Sequence, residues 1–116
     1  MEAAIQSIHA SRARSGRIDW NEILLLYEGL IRITPGIGSL VGRAVAWAQT
    51  GQALRGLAAL DAMPTERVAS YQPYWAARGH LLLLLDRNRE ASEAFMRAAS
   101  LTDDPALRKH LLSKRP

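Results

Sequence analysis

Three histidines, eleven carboxylates and no cysteine are the side chains of this 116-residue chain that could do chemistry. A metal on a helix needs a second ligand three or four residues from the first, and His9, His80 and His110 stand on separate helical segments without one. The absence of cysteine excludes a thiolate zinc site and a disulfide framework, which fits a reducing cytosol. Gly36 and Gly38 precede a helix but lack the Lys and Ser/Thr of a phosphate-binding loop, so they read as a turn. Asp86, Glu90 and Glu93 interleave with Arg87, Arg89 and Arg97 at helical spacing, the arrangement of surface ion pairs rather than of a catalytic acid pair in a cleft. The sequence therefore predicts no catalytic residue, no cofactor, no metal and no enzyme activity.

Apolar residues make up 48% and charged residues 22% of the chain, a globular composition, and the length suits one domain over 1–116. The start lacks a secretory pattern, and the longest apolar run, Leu81 to Leu85, is far too short to span a membrane, so a cytoplasmic protein without membrane contact is expected. The net charge of +4 invites a nucleic-acid reading. The cations are dispersed, however, apart from Arg12, Arg14 and Arg17 in a turn and Arg108, Lys109, Lys114 and Arg115 at the C-terminal end, where they complement a helix dipole. A solvated basic surface is the better reading, with no direct nucleic-acid contact.

Helical periodicity runs through the sequence and strand alternation is nearly absent, so the fold class is all-α. A helix over 2–14 ends near Ser15 and Gly16; a second opens at Asp19 in a capping box with Glu22, buries Trp20, Ile23, Leu24, Tyr27, Leu30 and Ile31, and stops at Pro35. A third, over 39–50, closes at Gly51 in the left-handed conformation. The fourth, over 52–62, turns Leu54, Leu57 and Leu60 inward. Thr65 caps a short turn, Pro73 begins a fifth helix, Asn88 caps a sixth with an apolar stripe of Ala91, Ala94, Phe95, Ala98 and Leu101, and Asp104-Pro105 opens a seventh with Leu107 and Leu111 inward.

Short loops imply helical hairpins, and the tetratricopeptide pattern appears in Trp75, Gly79 and Leu82 on one helix and Ala91, Phe95 and Ala98 on the next. Small Gly79, Ala91 and Ala98 allow close helix approach, and Trp75 and Phe95 fill the space between hairpins. An offset of 35 residues places Leu40, Ala44, Trp47, Gly56 and Leu60 in the matching positions, with Gly51 opposite Asp86. The expected architecture is a tetratricopeptide-like, right-handed stack of about seven antiparallel helices: an N-terminal hairpin over 1–34, repeats over 37–62 and 73–101, and a capping helix over 104–115. Arg43 and Arg78 share one repeat position where a standard repeat is apolar. A half-buried guanidinium needs a partner, so at least one of the two is expected to pair within the domain, with Asp61 or Glu28 beside Arg43. The groove face presents Val41, Val45, Ala48, Ala76, His80, Leu83 and Leu84, an apolar surface without the lysine and asparagine that clamp a peptide carboxylate. Either the domain's own first helices fill it, which is the preferred reading, or it meets an apolar partner or a second copy in a homo-oligomer.

The stretches AAIQSIHA, DWNEILLLYEGL, GRAVAWAQTGQALRGLAALDAM and AARGHLLLLLDRNREASEAFMRAASLT, taken in this order, resemble the C-terminal tetratricopeptide-like domain of extracytoplasmic-function RNA polymerase sigma factors. Asp19-Trp20 with Ile23 and Tyr27, and Arg43-Ala44-Val45-Ala46, are the most telling. The glycine-rich loop from Pro35 to Ser39 departs from the family's usual proline followed by small and β-branched residues. The resemblance implies a chain that begins at the extension's first helix, beyond the domains that recognise promoter elements. It implies a non-catalytic, regulatory role in transcription initiation through contacts with the sigma factor's N-terminal domains or with RNA polymerase. The alternative is a free-standing tetratricopeptide-like adaptor for a helical or peptide partner.

Overall fold

A computed structural model of the protein describes residues 18–116, so the helix expected over 2–14, with His9 and the three arginines after it, lies outside the described residues. At Asp19 the backbone is extended and the carboxylate accepts hydrogen bonds from the Asn21 and Glu22 amides at 3.1 and 3.2 Å, which opens α1 (Trp20–Ile33) where the sequence predicts. Pro35 and Gly36 separate it from α2 (Ile37–Gln49), which begins two residues before the expected Ser39. Next come α3 (Ala53–Asp61), the single turn α4 (Thr65–Val68), α5 (Gln72–Leu84), α6 (Asn88–Ser100) and α7 (Pro105–Ser113). Every regular element among the described residues is an α-helix.

The helix ends follow from residue type. Gly51 sits at φ +85°, and behind it the Gln52 amide donates to Trp47 O at 2.8 Å while the Gly51 amide donates to Ala48 O at 3.1 Å, the paired bonds of a Schellman ending. Asp86, 35 residues on, repeats this at φ 59°: Arg87 N donates to Leu82 O at 2.9 Å and Asp86 N to Leu83 O at 3.1 Å. Asp104 caps α7 by accepting from Ala106 N at 2.9 Å, with Pro105 in the first turn. Two expected caps are corrected. Asn88 is already helical, because Arg87 takes the cap position and its carbonyl accepts from Ala91 N. Thr65 likewise lies inside α4, with Pro64 at the cap.

Helices α2 and α3 form one hairpin, α5 and α6 a second; α1 packs along α2, α5 lies against both α2 and α3, and α7 covers α6. The core between them is built from Leu60, Val68, Leu81, Leu82 and Phe95, each at most 2% exposed, with Ala44, Ala91 and Ala98 fully enclosed. Burial of each large side chain stabilises the fold by about 1.5–3 kcal/mol. Leu111 anchors α7 in the same core, and Leu107 is half-buried. Leu54 is a correction: it is 69% exposed. Gly56, Leu57 and Leu60 centre the buried face of α3, which leaves Leu54 about a third of a turn away.

Candidate functional site

The residues of the repeat pattern meet at two close contacts. At Gly79 a Cβ would come within 2.7 Å of the Phe95 ring, so the missing side chain is what lets that ring lie on α5. At Gly56 a Cβ would come within 2.5 Å of Ala44 O and 2.8 Å of Leu81 Cδ2, so here α3 touches the backbone of α2 and a side chain of the second hairpin together. Tyr27 supplies a third contact of this kind, its ring 2.6 Å from where a Cβ of Gly42 would stand. The sequence marks Tyr27 as apolar-face, but Gly42 carries no signal of its own. Trp20 is half-buried on α1. Trp75 is half-buried beside the core; its indole N–H donates to Ala69 O at 3.0 Å, Tyr74 meets it edge-on at 5.2 Å, and the Arg97 guanidinium lies 5.6 Å from its ring.

The two equivalent arginines have different surroundings. Arg78 pairs with Asp61, which joins the end of α3 to α5 and so ties one hairpin to the next. Burial alone works against the Arg78 charge, but the hydrogen bond to Asp61 and the neighbouring Tyr74 outweigh it and raise the pKa. Asp61 is thus beside Arg78 and not, as expected, beside Arg43, because the last turn of α3 faces α5. Glu28 makes no ion pair with Arg43 either among the described residues, whose pairs are Arg78–Asp61, Arg87–Glu90 and Arg89–Glu93. Arg43 instead stacks 4.5 Å from the centre of the Trp47 ring, and Arg55 stacks 4.4 Å from the same ring. Arg43 Nε and Trp47 Nε1 are buried and have no hydrogen-bond acceptor among the described residues. Arg55 carries no sequence signal of its own.

Most of the groove face is covered within the domain. Val41 and Ala48 are buried in the core, Val45, Ala76, His80 and Leu83 are half-buried, and Leu84 alone of the seven is exposed, at 49%. His80 reaches from α5 to the end of α2, its Nε2 3.1 Å from Gln49 Oε1, where an Nε2 proton would be donated. Burial, with the charge of Lys114 adding to it, holds the His80 pKa below the ordinary histidine value. Leu54 and Leu84 border one shallow depression with Ala48, Ala53 and Leu85 near the two hairpin turns. Of the C-terminal cations, Arg108 donates to Ala99 O and Thr102 O and Arg115 to Leu112 O, so both hold carbonyls at helix ends.

Among the described residues no three His, Cys, Asp or Glu side chains converge on a point where a metal could sit, and no helix is long and apolar enough to cross a membrane. What the geometry offers is a rigid helical surface with guanidinium groups set into it.

These features define an all-α protein built of paired helical hairpins. Over 101 residues it is 39% identical to an uncharacterized protein of Rhizobium meliloti (strain 1021), an alignment that takes in 87% of this chain and 24% of that protein. The chain spans about a quarter of the length of the curated relative it matches. No protein-family model and no solved structure matches it.

Proposed function

We propose that this chain is a non-catalytic docking domain, a tetratricopeptide-like right-handed stack that forms the C-terminal extension of an extracytoplasmic-function sigma factor and acts in the cytoplasm by protein contact. The observation that carries the architectural part is the repetition of three unusual local features at one offset of 35 residues. Ala44 with Gly56 and Gly79 with Ala91 supply the small residues, Gly51 and Asp86 the left-handed endings, and Leu60 and Phe95 the buried wedges. Coincidence of all three is what duplication of one hairpin unit produces. The position of α5 against both helices of the preceding hairpin also supports the reading.

The sigma-factor part rests on the ordered resemblance of the four sequence stretches, and an alignment confined to about a quarter of a longer relative agrees with a domain of a larger protein. In this reading the extension contacts the N-terminal sigma domains or RNA polymerase and alters their activity. The test is a pull-down in which the immobilised chain is offered separately purified sigma domains and core polymerase. Retention of either supports the proposal, and retention of neither at micromolar concentrations refutes it.

A further inference from the structure

Arg43 and Arg78 each line a small cleft between the two helices of their own hairpin, and the repeat makes the clefts comparable residue for residue. The second is bordered by Trp75, Arg78, Leu82, Glu90, Glu93 and Ala94. The first is bordered by Leu40, Arg43, Ala59, Ala62, Met63 and Pro64, of which Leu40, Arg43 and Ala59 occupy the places of Trp75, Arg78 and Ala94. The charges differ. At the place of Glu90 the first hairpin has Arg55, and at the place of Glu93 it has Ala58. Even the local contact is kept with its polarity changed: Arg87 donates to Glu90, whereas Arg55 donates to Gln52 at 3.2 Å.

The second cleft therefore contains its own acids, and Asp61 brings a further one to Arg78 from the preceding helix. The position equivalent to Asp61 one repeat earlier is Leu26, which cannot serve Arg43 in that way. Arg43 and Arg55 both lie against Trp47 with no carboxylate paired to either among the described residues, and the buried N–H groups of Arg43 Nε and Trp47 Nε1 lack an acceptor there. The Trp47 ring attracts each guanidinium, but neither has a carboxylate partner among the described residues, and a carboxylate supplied from outside would add a charge-assisted hydrogen bond that the second cleft already has.

We infer that the Arg43–Arg55–Trp47 face is the docking site for a protein helix that presents a carboxylate beside apolar side chains, taking the place that Asp61 takes at Arg78. The apolar border of Leu40, Ala59, Ala62 and Met63 favours a protein segment over a nucleic-acid phosphate. This inference rests on the docking reading above and gives it an address on the molecule.

The experiment is a titration of the ¹⁵N-labelled chain with a synthetic alanine-based helical peptide carrying two leucines four residues apart and one aspartate, beside the same peptide with asparagine. The aspartate peptide is expected to move the Trp47 indole N–H and Arg43 Nε–H resonances and to bind about tenfold more tightly than the asparagine peptide. Arg43→Gln and Arg55→Gln should each abolish that preference, and because Arg55 is exposed its replacement leaves the fold intact. Equal binding of the two peptides, absence of any movement, or a preference that survives in Arg55→Gln overturns the inference. So does a short oligothymidine that moves the same resonances more strongly than the peptide. Undiminished capture of sigma domains or polymerase by Arg55→Gln would overturn this site while leaving the docking reading in place.

Discussion

Two glycines show how little space separates the helices. A methyl group at Gly79 meets the edge of the Phe95 ring, a side chain that can tilt; a methyl group at Gly56 meets the carbonyl of Ala44, which cannot move without α2. Overpacking of this sort costs about 1–3 kcal/mol, against a gain of about 1 kcal/mol in helix propensity from glycine to alanine. Urea unfolding should therefore place Gly56→Ala below the parent by about 2 kcal/mol and Gly79→Ala by about 1 kcal/mol; the reverse order would show that the close approach lies elsewhere. His80 gives a pH signature at the same scale. Its folded pKa lies below the roughly 6.5 of an unfolded histidine, so the unfolded chain binds the proton more readily. The stabilising contribution is complete above that unfolded value and is lost as pH falls from it towards the depressed folded value, below which it is flat. Urea midpoints at pH 7.5 and 5.5 should fall further for the parent than for His80→Gln, and equal falls would contradict the burial described for the imidazole.

At the scale of elements, the sequence is most legible where one residue type answers one backbone need. Asp19 and Asp104 each cap the helix predicted for them, and Gly51 ends α2 in the left-handed region. Asn88 and Thr65 misled because a capping residue type does not fix the register: Arg87 and Pro64 take those positions through backbone bonds that no side-chain preference encodes. Leu54 differs because a short helix with leucines every three residues leaves the centre of its buried face undecided until the contact of Gly56 with α2 fixes it. Asp86 uses the conformation that suits glycine. Asp86→Gly should raise the thermal midpoint, by up to about 1 kcal/mol in stability, and Gly51→Ala should lower it by about 1 kcal/mol. A loss of stability in Asp86→Gly would mean that the aspartate side chain has a role beyond closing the helix.

For the molecule as a whole, the pattern of small and large residues made the hairpins readable, whereas the partners of the arginines were not. Pairing of Asp61 with Arg78 depends on which helix the last turn of α3 faces, a tertiary fact without a local sequence signal. What covers the apolar groove face is likewise a tertiary fact: the sequence favours filling by the domain's own first helices, and Val41 and Ala48 are core residues where α5 lies against the first hairpin. The charge reversal between Arg55 and Glu90 was present in the sequence throughout, and it acquires meaning only when the two clefts are superposed.

The docking account is tested most directly by transcription in vitro, with core polymerase and the full-length protein, proposed above to be a sigma factor, set beside a form that lacks this domain. A several-fold change in transcript yield on deletion, with loss of the contacts captured in the pull-down, is the predicted result. Equal transcript yields and equal bound partners for the two forms would contradict it.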